Sequence, residues 1–210
     1  MVIKNERNKI MFKKIFKLMF IVLLFALFVA SITQAQPTKT KYDVYPVFSI
    51  SPMVGVNFPL QDLNNTYSTS WNAGLDLNLK VNRETSFYLF GGYYNMPAKD
   101  ATFGPNASVI AISVGPRYIF TSAAIKAQFF LEAGVGLYIF SSKDFNTNTT
   151  PSVLIPGTST TNFGINVGPG AIIPLGTAMD LIMKVKIHDM FLKGGSQTFI
   201  SAQMGLDFKL

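Results

Sequence analysis

The segment "SWNAGLDLNLKV", residues 70–81, alternates between apolar and polar residues along its whole length. One set of alternate positions carries Trp71, Ala73, Leu75, Leu77, Leu79 and Val81, and the other carries Asn72, Gly74, Asp76, Asn78 and Lys80. Successive side chains of a β-strand point to opposite faces of a sheet, so this pattern predicts a strand with two unlike surroundings.

Seven further segments show the same period of two, and no stretch after Val44 shows helical spacing of apolar residues. The eight predicted strands are 47–58, 70–81, 87–94, 108–120, 127–140, 162–173, 179–190 and 198–210. Their lengths of 8 to 14 residues suit tilted strands that cross a membrane, which need about 9–11 residues. Strands of soluble proteins are usually nearer about 5–6 residues.

The connections between these strands alternate between long and short. Long connections at 59–69, 95–107, 141–161 and 191–197 are interleaved with short ones at 82–86, 121–126 and 174–178. An up-and-down barrel sorts its connections in this way when turns occupy one rim and free loops occupy the other.

The positions of the glycines indicate whether the apolar face is packed inside a soluble barrel or faces lipid. The polar face carries Gly74, Gly115, Gly134, Gly136, Gly164, Gly168, Gly170 and Gly205. On a water-exposed surface these glycines would weaken the strands, whereas in a narrow lumen they make room for long side chains of neighbouring strands. We therefore predict an all-β fold: a transmembrane, up-and-down, antiparallel barrel of eight strands. Lipid offers no partner to an unpaired backbone amide, so 198–210 must pair with the first strand.

Aromatic residues on the apolar face support the membrane assignment. Trp71, Tyr93 and Phe163 fall near the predicted long-loop rim, and Phe48, Phe87, Tyr118, Phe120 and Phe208 fall near the short-turn rim. Two aromatic girdles at the two membrane interfaces are expected of such a barrel.

The net charge of +7 comes mostly from the N-terminus, where six basic residues and one acid lie in the first 17 positions. This basic stretch precedes the apolar segment 18–30 and small residues up to Ala35, a pattern that predicts a cleaved secretory signal peptide over 1–35, starting at Met1 or Met11. A short periplasmic lead, 36–46, would then precede the barrel at 47–210. The remaining charge gives no reason to expect nucleic acid as a partner, and without cysteine the chain has no disulfide.

The last residues, "QMGLDFKL", resemble the C-terminal signal that the barrel-assembly machinery reads, with Gln203, Gly205, Phe208 and Leu210 in its four defined places. A terminal Phe is the commoner ending, so Leu210 departs mildly from that pattern. "SVGPRYIF" (113–120) and "NVGPGAI" (166–172) resemble strands of the porin-like outer-membrane β-barrel family of the OmpA/OmpX type. The resemblance covers about 44–210. It implies a location in the outer membrane of a Gram-negative cell and contact with its lipid. We expect no peptidoglycan-binding domain after the barrel, so the likeness is to the members that consist of a barrel alone.

Charged residues on the polar face are candidates for a polar network in the lumen: Asp76, Lys80, Arg117, Glu132, Lys184, Lys186, His188 and Asp207. We expect pairing across the turn 121–126 to bring Arg117 within a diagonal step of Glu132. The predicted function is a non-enzymatic, structural or surface-interaction role of a monomer, with outer loops that contact ligands or partner proteins and with no cofactor or metal.

Three alternatives remain open at this point. The first is a narrow anion-favouring pore past Lys184, Lys186 and Arg117. The second is an accessory barrel of a secretion apparatus. The third is a hydrolase or lipid A-modifying enzyme that uses His188, Asp189 and Ser196 at one rim, although adjacent His and Asp point to opposite faces of a strand.

Overall fold

The structure is a computed structural model that describes residues 45–100, 104–120, 127–146, 153–192 and 195–210. The predicted signal peptide 1–35 and most of the predicted lead lie outside these residues. The elements are β1 (Val47–Pro59), α1 (Gln61–Thr66), β2 (Ser70–Lys80), β3 (Thr85–Met96), β4 (Ala107–Phe120), β5 (Gln128–Ser142), β6 (Phe145–Asn146), β7 (Leu154–Ile155), β8 (Ser159–Pro174), β9 (Met179–Leu192) and β10 (Gly195–Lys209).

Eight long antiparallel strands form one closed barrel in the order β1-β10-β9-β8-β5-β4-β3-β2, which confirms the predicted fold. The first and last strands pair from Ser49–Lys209 to Pro59–Phe199. The backbone N–H of Leu210 also donates to the carbonyl of Phe48 at 2.9 Å, so pairing continues to the end of the sheet. No backbone edge of the barrel is left open to lipid, as closure requires.

The two rims differ in their connections. One rim, here called the loop rim, carries α1, residues 97–100 and 104–106, and the paired strands β6 and β7. The other, here called the turn rim, carries the short connections 81–84 and 175–178, the end of β4 and the start of β5. One predicted loop is wrong: β9 extends to Leu192 and β10 begins at Gly195, and these two residues pair, so most of 191–197 belongs to the strands.

The apolar face points outward, as predicted. Leu75, Leu77, Leu131, Val185 and Leu206 are 37–47% exposed, a fraction that would be costly in water but is matched by hydrocarbon. Both aromatic girdles are exposed, with Trp71 against Tyr93 at 5.5 Å between ring centroids near the loop rim. No helix among the described residues is long and apolar enough to span a membrane.

Candidate functional site

Five charged side chains meet inside the barrel, each no more than 2% exposed: Asp76 on β2, Arg117 on β4, Glu132 on β5, and Lys184 and Lys186 on β9. Each occupies an inward position of its strand. Their strands lie around the barrel wall, so the side chains meet across the lumen rather than along one strand. We call these five residues the charged cluster.

Two carboxylates are shared by three cations in this cluster. Arg117 Nη2 lies 2.8 Å from Asp76 Oδ2 and 2.6 Å from Glu132 Oε2, and its Nε donates to the same Glu132 oxygen at 2.7 Å. Lys184 Nζ lies 2.5 Å from Asp76 Oδ2, and Lys186 Nζ lies 2.8 Å from Glu132 Oε1. Buried charges require such partners, because an isolated ion in a low-dielectric interior is very unfavourable. Arg117 stands directly opposite Glu132, within the diagonal step that the sequence predicts.

Aromatic rings pack over the three cations. The guanidinium carbon of Arg117 is 4.5 Å from the centroid of Phe130 and Lys184 Nζ is 4.5 Å from that of Phe90. Lys186 Nζ is 4.1 Å from the centroid of Tyr88. Cations over ring faces gain electrostatic stabilisation that grows when water is excluded.

Lumen glycines make room for these rings. A Cβ on Gly74 would lie 2.5 Å from the Phe90 ring, and a Cβ on Gly170 would collide with the ring of Phe130. Gly74 and Gly170 therefore have the spatial role that the sequence predicted, since rings fill the space that a Cβ would take. At Gly115, Gly168 and Gly205 a Cβ would instead meet the backbone of the neighbouring strand.

A second layer lies next to the charged cluster on the side of the loop rim and is centred on His188. Its Nδ1 is 3.0 Å from the hydroxyl of Tyr138, and its Nε2 is 2.9 Å from that of Ser201. The imidazole stacks on Phe199 with 4.5 Å between centroids and 7° between planes, and Tyr94 meets it edge-on. These contacts surround the fully buried ring with partners.

Apolar residues are buried in the lumen next to the loop rim. Leu63 of α1 and Tyr67 are buried with Met96, Met190 and Phe199 in one cluster, here called the mouth cluster. Sequence analysis missed it, because α1 lies in a connection with no regular apolar spacing.

Backbone hydrogen bonds hold the first loop, which joins β1 to β2 and contains α1, against the second loop, which joins β3 to β4. Lys99 N–H donates to the carbonyl of Thr66 at 2.9 Å, and Ser68 N–H donates to that of Pro97 at 2.9 Å. The ammonium of Lys99 also donates to the carbonyl of Asn64. The first and second loops are thus fastened to each other over the mouth cluster.

The other predicted lumen residues lie toward the turn rim. Asp207 is buried and accepts a hydrogen bond from Ser51 Oγ at 2.5 Å, and Lys209 pairs with Asp180 at 2.9 Å. Lys80 stands at the end of β2, where its Nζ lies 5.9 Å from the Tyr45 ring centroid. The structure therefore separates Lys80 and Asp207 from the ion pairs of the charged cluster.

The residues considered for catalysis do not meet. His188 points into the lumen, whereas the carboxylate of Asp189 lies on the outer face and accepts from the Thr198 hydroxyl at 2.9 Å. Ser196 is exposed in β10, opposite Phe191. No group of three or more metal-ligating side chains occurs among the described residues.

Three residues of the C-terminal motif divide between the two faces of β10, and the fourth, Leu210, directly follows this strand. Gln203 is buried and donates to Asn72 Oδ1 at 2.8 Å, and Gly205 shares that inward face. Phe208 is exposed to the outside, and the side chain of Leu210 is 85% exposed.

Solved structures of outer-membrane proteins share this architecture, although no family model and no curated protein sequence matches the chain. Neisserial surface protein A aligns with a TM-score of 0.59 at 13% identity, covering 78% of this chain and 97% of that one. A major outer membrane protein from Thermus thermophilus aligns at 0.57 and 12% identity, covering 78% and 99%. Outer membrane protein OprG from Pseudomonas aeruginosa aligns at 0.54 and 12% identity, covering 79% and 96%.

This chain has the fold of a small outer-membrane barrel. Its closed sheet of eight strands and its apolar outer belt place it in the outer membrane, in agreement with the resemblance to barrels of the OmpA/OmpX type. At these identities, the likeness concerns the fold alone.

Proposed function

We propose that this outer-membrane barrel is a non-enzymatic surface-interaction protein whose loop rim faces the cell exterior and contacts ligands or partner proteins. The orientation follows from the general rule that outer-membrane barrels keep short turns on the periplasmic side and longer loops outside. The observation that carries the proposal is the filled lumen, because it leaves the loops as the part of the chain that can meet an external molecule.

Two layers support the absence of conduction. In the charged cluster, Arg117, Lys184 and Lys186 are already paired with carboxylates and covered by rings, so they offer no free positive lining to an anion. Above them, the mouth cluster places apolar side chains across the passage. An ion would have to shed its water to pass, which apolar constrictions oppose.

The third loop of the loop rim, which joins β5 to β8 and contains β6 and β7, supplies the main candidate contact surface. Hydroxyls join its two arms, with Ser141 Oγ 3.0 Å from Ser159 Oγ and Ser142 Oγ 3.1 Å from Thr158 Oγ1. Beyond this stem, β7 and the residue before it present Val153, Leu154 and Ile155, each about half exposed or more. Exposed apolar residues that adjoin polar ones are typical of interaction sites.

Ordered loops lower the entropic cost of binding, because fewer rotamers are lost when a partner docks. The stem is fixed by its hydroxyl contacts and by the bond from Gly157 N–H to Asp144 Oδ1 at 2.7 Å. The first loop is fixed over the mouth cluster by its bonds to the second. The stem of the third loop and the first loop are therefore preorganised parts of the loop rim.

Planar-bilayer recording of the purified protein tests the lumen directly. We expect no current steps above those of protein-free membranes. Stable, anion-selective steps that disappear in Lys184→Met would contradict the proposal and establish the pore.

Binding is tested with nanodisc-embedded protein on an array of purified extracellular proteins and glycans. The Leu154→Ser/Ile155→Ser variant should lose the binding seen with the unmodified chain, whereas Leu175→Ser, an equally exposed leucine at the turn rim, should retain it. A complete lack of loop-dependent binding across the array would count against the surface-interaction role.

Two further roles belong to the same proposal. Gln203, Gly205, Phe208 and Leu210 would serve as the signal for the barrel-assembly machinery, and the folded chain would act as a monomer. Co-purification in mild detergent distinguishes an accessory barrel of a secretion apparatus, since a stable stoichiometric partner would favour that role instead. Hydrolase activity lost in His188→Ala would restore the enzymatic alternative.

A further inference from the structure

Lys184 and Asp76 form the closest ion pair of the charged cluster. Lys184 Nζ lies 2.5 Å from Asp76 Oδ2, and both side chains are fully buried. The two residues stand on β9 and β2, which β10 and β1 separate in the sheet, so they meet across the lumen. An amine and a carboxyl group held at such a distance react as parts of one molecule, at effective concentrations far above those of free reactants.

The surroundings of this pair favour its neutral form over its ionised form. Burial is unfavourable for both charges, so a proton can move from the ammonium to the carboxylate and remove both. The rings of Phe90 and Tyr88 lie over Lys184 Nζ, with centroids at 4.5 and 5.9 Å. The neutral pair contains a free amine, which is a nucleophile, beside a carboxylic acid, whose carbon is an electrophile. Exclusion of water also protects an amide, once formed, from hydrolysis.

Glu132 is placed to move the protons of such a reaction. Its Oε1 lies 3.5 Å from Lys184 Nζ, and contacts of this kind are often long in a resting structure and shorten during the reaction. Lys184 thus has one carboxylate to react with and a second one to act as general base. Among the described residues, Lys186 has an ion pair with Glu132 alone. Lys209 has one with Asp180 alone, so neither of these lysines has the second carboxylate.

Arg117 makes the two oxygens of the Asp76 carboxyl group unequal. Its Nη2 donates to Asp76 Oδ2 at 2.8 Å. Oδ1 of the same group is buried and has no hydrogen-bond partner in the described part of the chain. A fixed positive charge at Oδ2 stabilises the negative charge that develops there when a nucleophile adds to the carboxyl carbon. One oxygen is therefore held in place, and the other is free to leave.

We infer that Lys184 and Asp76 condense to an amide, so that the folded barrel carries one covalent cross-link between β9 and β2. Lys184 Nζ gives one proton to Asp76 Oδ1 and then adds to Asp76 Cγ. Glu132 accepts a second proton from the nitrogen and passes it to the hydroxyl on Oδ1, which leaves as water. One N–C bond forms and one C–O bond breaks, and nothing is oxidised or reduced. Oδ2 becomes the amide oxygen and keeps its hydrogen bond from Arg117.

The cross-link braces the place where the sheet closes. β1 and β10 pair with each other at this join, and they lie between β2 and β9. An amide between Asp76 and Lys184, which are 108 positions apart in the chain, spans the join from the strands on either side of it. One ammonium and one carboxylate are lost together, so the net charge of the cluster is unchanged. This modification is independent of the surface-interaction role proposed for the loops.

Intact-protein mass spectrometry of the barrel refolded in detergent micelles tests the cross-link. The folded chain should be lighter than its sequence requires by the mass of one water molecule, whereas the chain kept unfolded in urea should have its full mass. Proteolysis should release one branched peptide that joins Lys184 to the segment around Asp76. After boiling in SDS, the linked chain should migrate faster on a gel than an unlinked chain, because its closed loop keeps it more compact.

Substitutions assign the reaction to these residues. Lys184→Met and Asp76→Ala should both keep the full mass. Glu132→Gln should slow the loss of water by roughly 10²–10⁴-fold, which is the usual contribution of a general acid–base group. Asp180→Asn is the matched control, since it removes the carboxylate of the half-exposed ion pair at the turn rim and should lose water as the unmodified chain does. Gel mobility before heating verifies that each variant is folded.

A full mass for the folded, unmodified chain after prolonged incubation would overturn the inference without recourse to any variant. A loss of water that persists in Lys184→Met would also overturn it, because the water would then come from cyclisation of an aspartate with the backbone. Loop-dependent binding on the array does not require the cross-link. Failure of this inference and failure of the proposed function are therefore distinguishable.

Discussion

Replacement of Glu132 by Gln should destabilise the barrel strongly, because this carboxylate is the main counter-charge of the charged cluster. It contacts Arg117 through two nitrogens at 2.6 and 2.7 Å and Lys186 at 2.8 Å. The substitution leaves three buried cations with Asp76 as the one remaining acid of the cluster. Removing one partner of a buried ion pair typically costs about 3–5 kcal/mol. The folding equilibrium constant should therefore fall by roughly two to three and a half orders of magnitude.

Urea titration of the barrel refolded in detergent micelles measures this change. The folded fraction can be read from heat-modifiable gel mobility and from the fluorescence of Trp71, the single tryptophan of the chain. Asp180→Asn is the matched control: its partner Lys209 is 34% exposed, so water replaces the lost contact and the cost should stay below about 1 kcal/mol.

A double substitution separates charge imbalance from loss of packing. Glu132→Gln combined with Lys186→Met removes one charge of each sign and keeps a long side chain beside Tyr88. It should cost less than the sum of the two single variants, by about 1 kcal/mol or more. Additive costs, or a stability of Glu132→Gln within about 1 kcal/mol of the unmodified chain, would show that water already solvates the cluster.

Three other substitutions test separate parts of the structure. Gly170→Ala should lower the free energy of unfolding by about 1–3 kcal/mol, because the new Cβ collides with a ring in the lumen. Gly91→Ala, where the Cβ would meet open space, should change this free energy by less than about 0.5 kcal/mol. Equal urea midpoints for the two variants would contradict the packing explanation. Phe208→Ala should reduce the amount of barrel in the outer membrane of cells while leaving spontaneous refolding into micelles unchanged, and slowing of both would indicate a structural role rather than a recognition signal. Lys99→Ala should increase proteolysis of the first loop in nanodiscs, since it removes the side-chain bonds to α1; an unchanged cleavage rate would show that the backbone bonds alone hold this loop.

The strands and their faces could be predicted from the sequence because period two is a local property. A strand that faces lipid on one side and the packed lumen on the other must alternate between apolar and polar residues. The faces of residues such as Leu75 and Asp76 can therefore be read from their own segment, without knowledge of the neighbouring strands. The fold follows from eight such segments. Strand ends were less predictable, as 191–197 illustrates: both flanking strands gain ladder hydrogen bonds by continuing through residues that alternate poorly.

Contacts across the lumen were not predictable, because the relative shift of the strands sets them. Arg117 and Glu132 could be anticipated as neighbours, since a short connection joins their strands. Lys184 contacts Asp76 from a strand that is not adjacent to β2. Neither segment alone shows that the two residues lie at the same level along the barrel axis. The burial of Leu63 had no sequence signal either, since one leucine in a polar loop has no period.

The join between β1 and β10 has a consequence for the order of events in folding. Ser49 pairs with Lys209. The first strand to be synthesised therefore gains its full set of backbone hydrogen bonds only after the last strand has been made. Pairings between residues so distant along the chain form slowly, because the long intervening chain loses conformational entropy before any stabilising contact is made. The barrel must therefore remain open while the chain travels to the membrane. A chaperone that binds the chain in this interval needs above all to cover the unpaired backbone edges of these two strands.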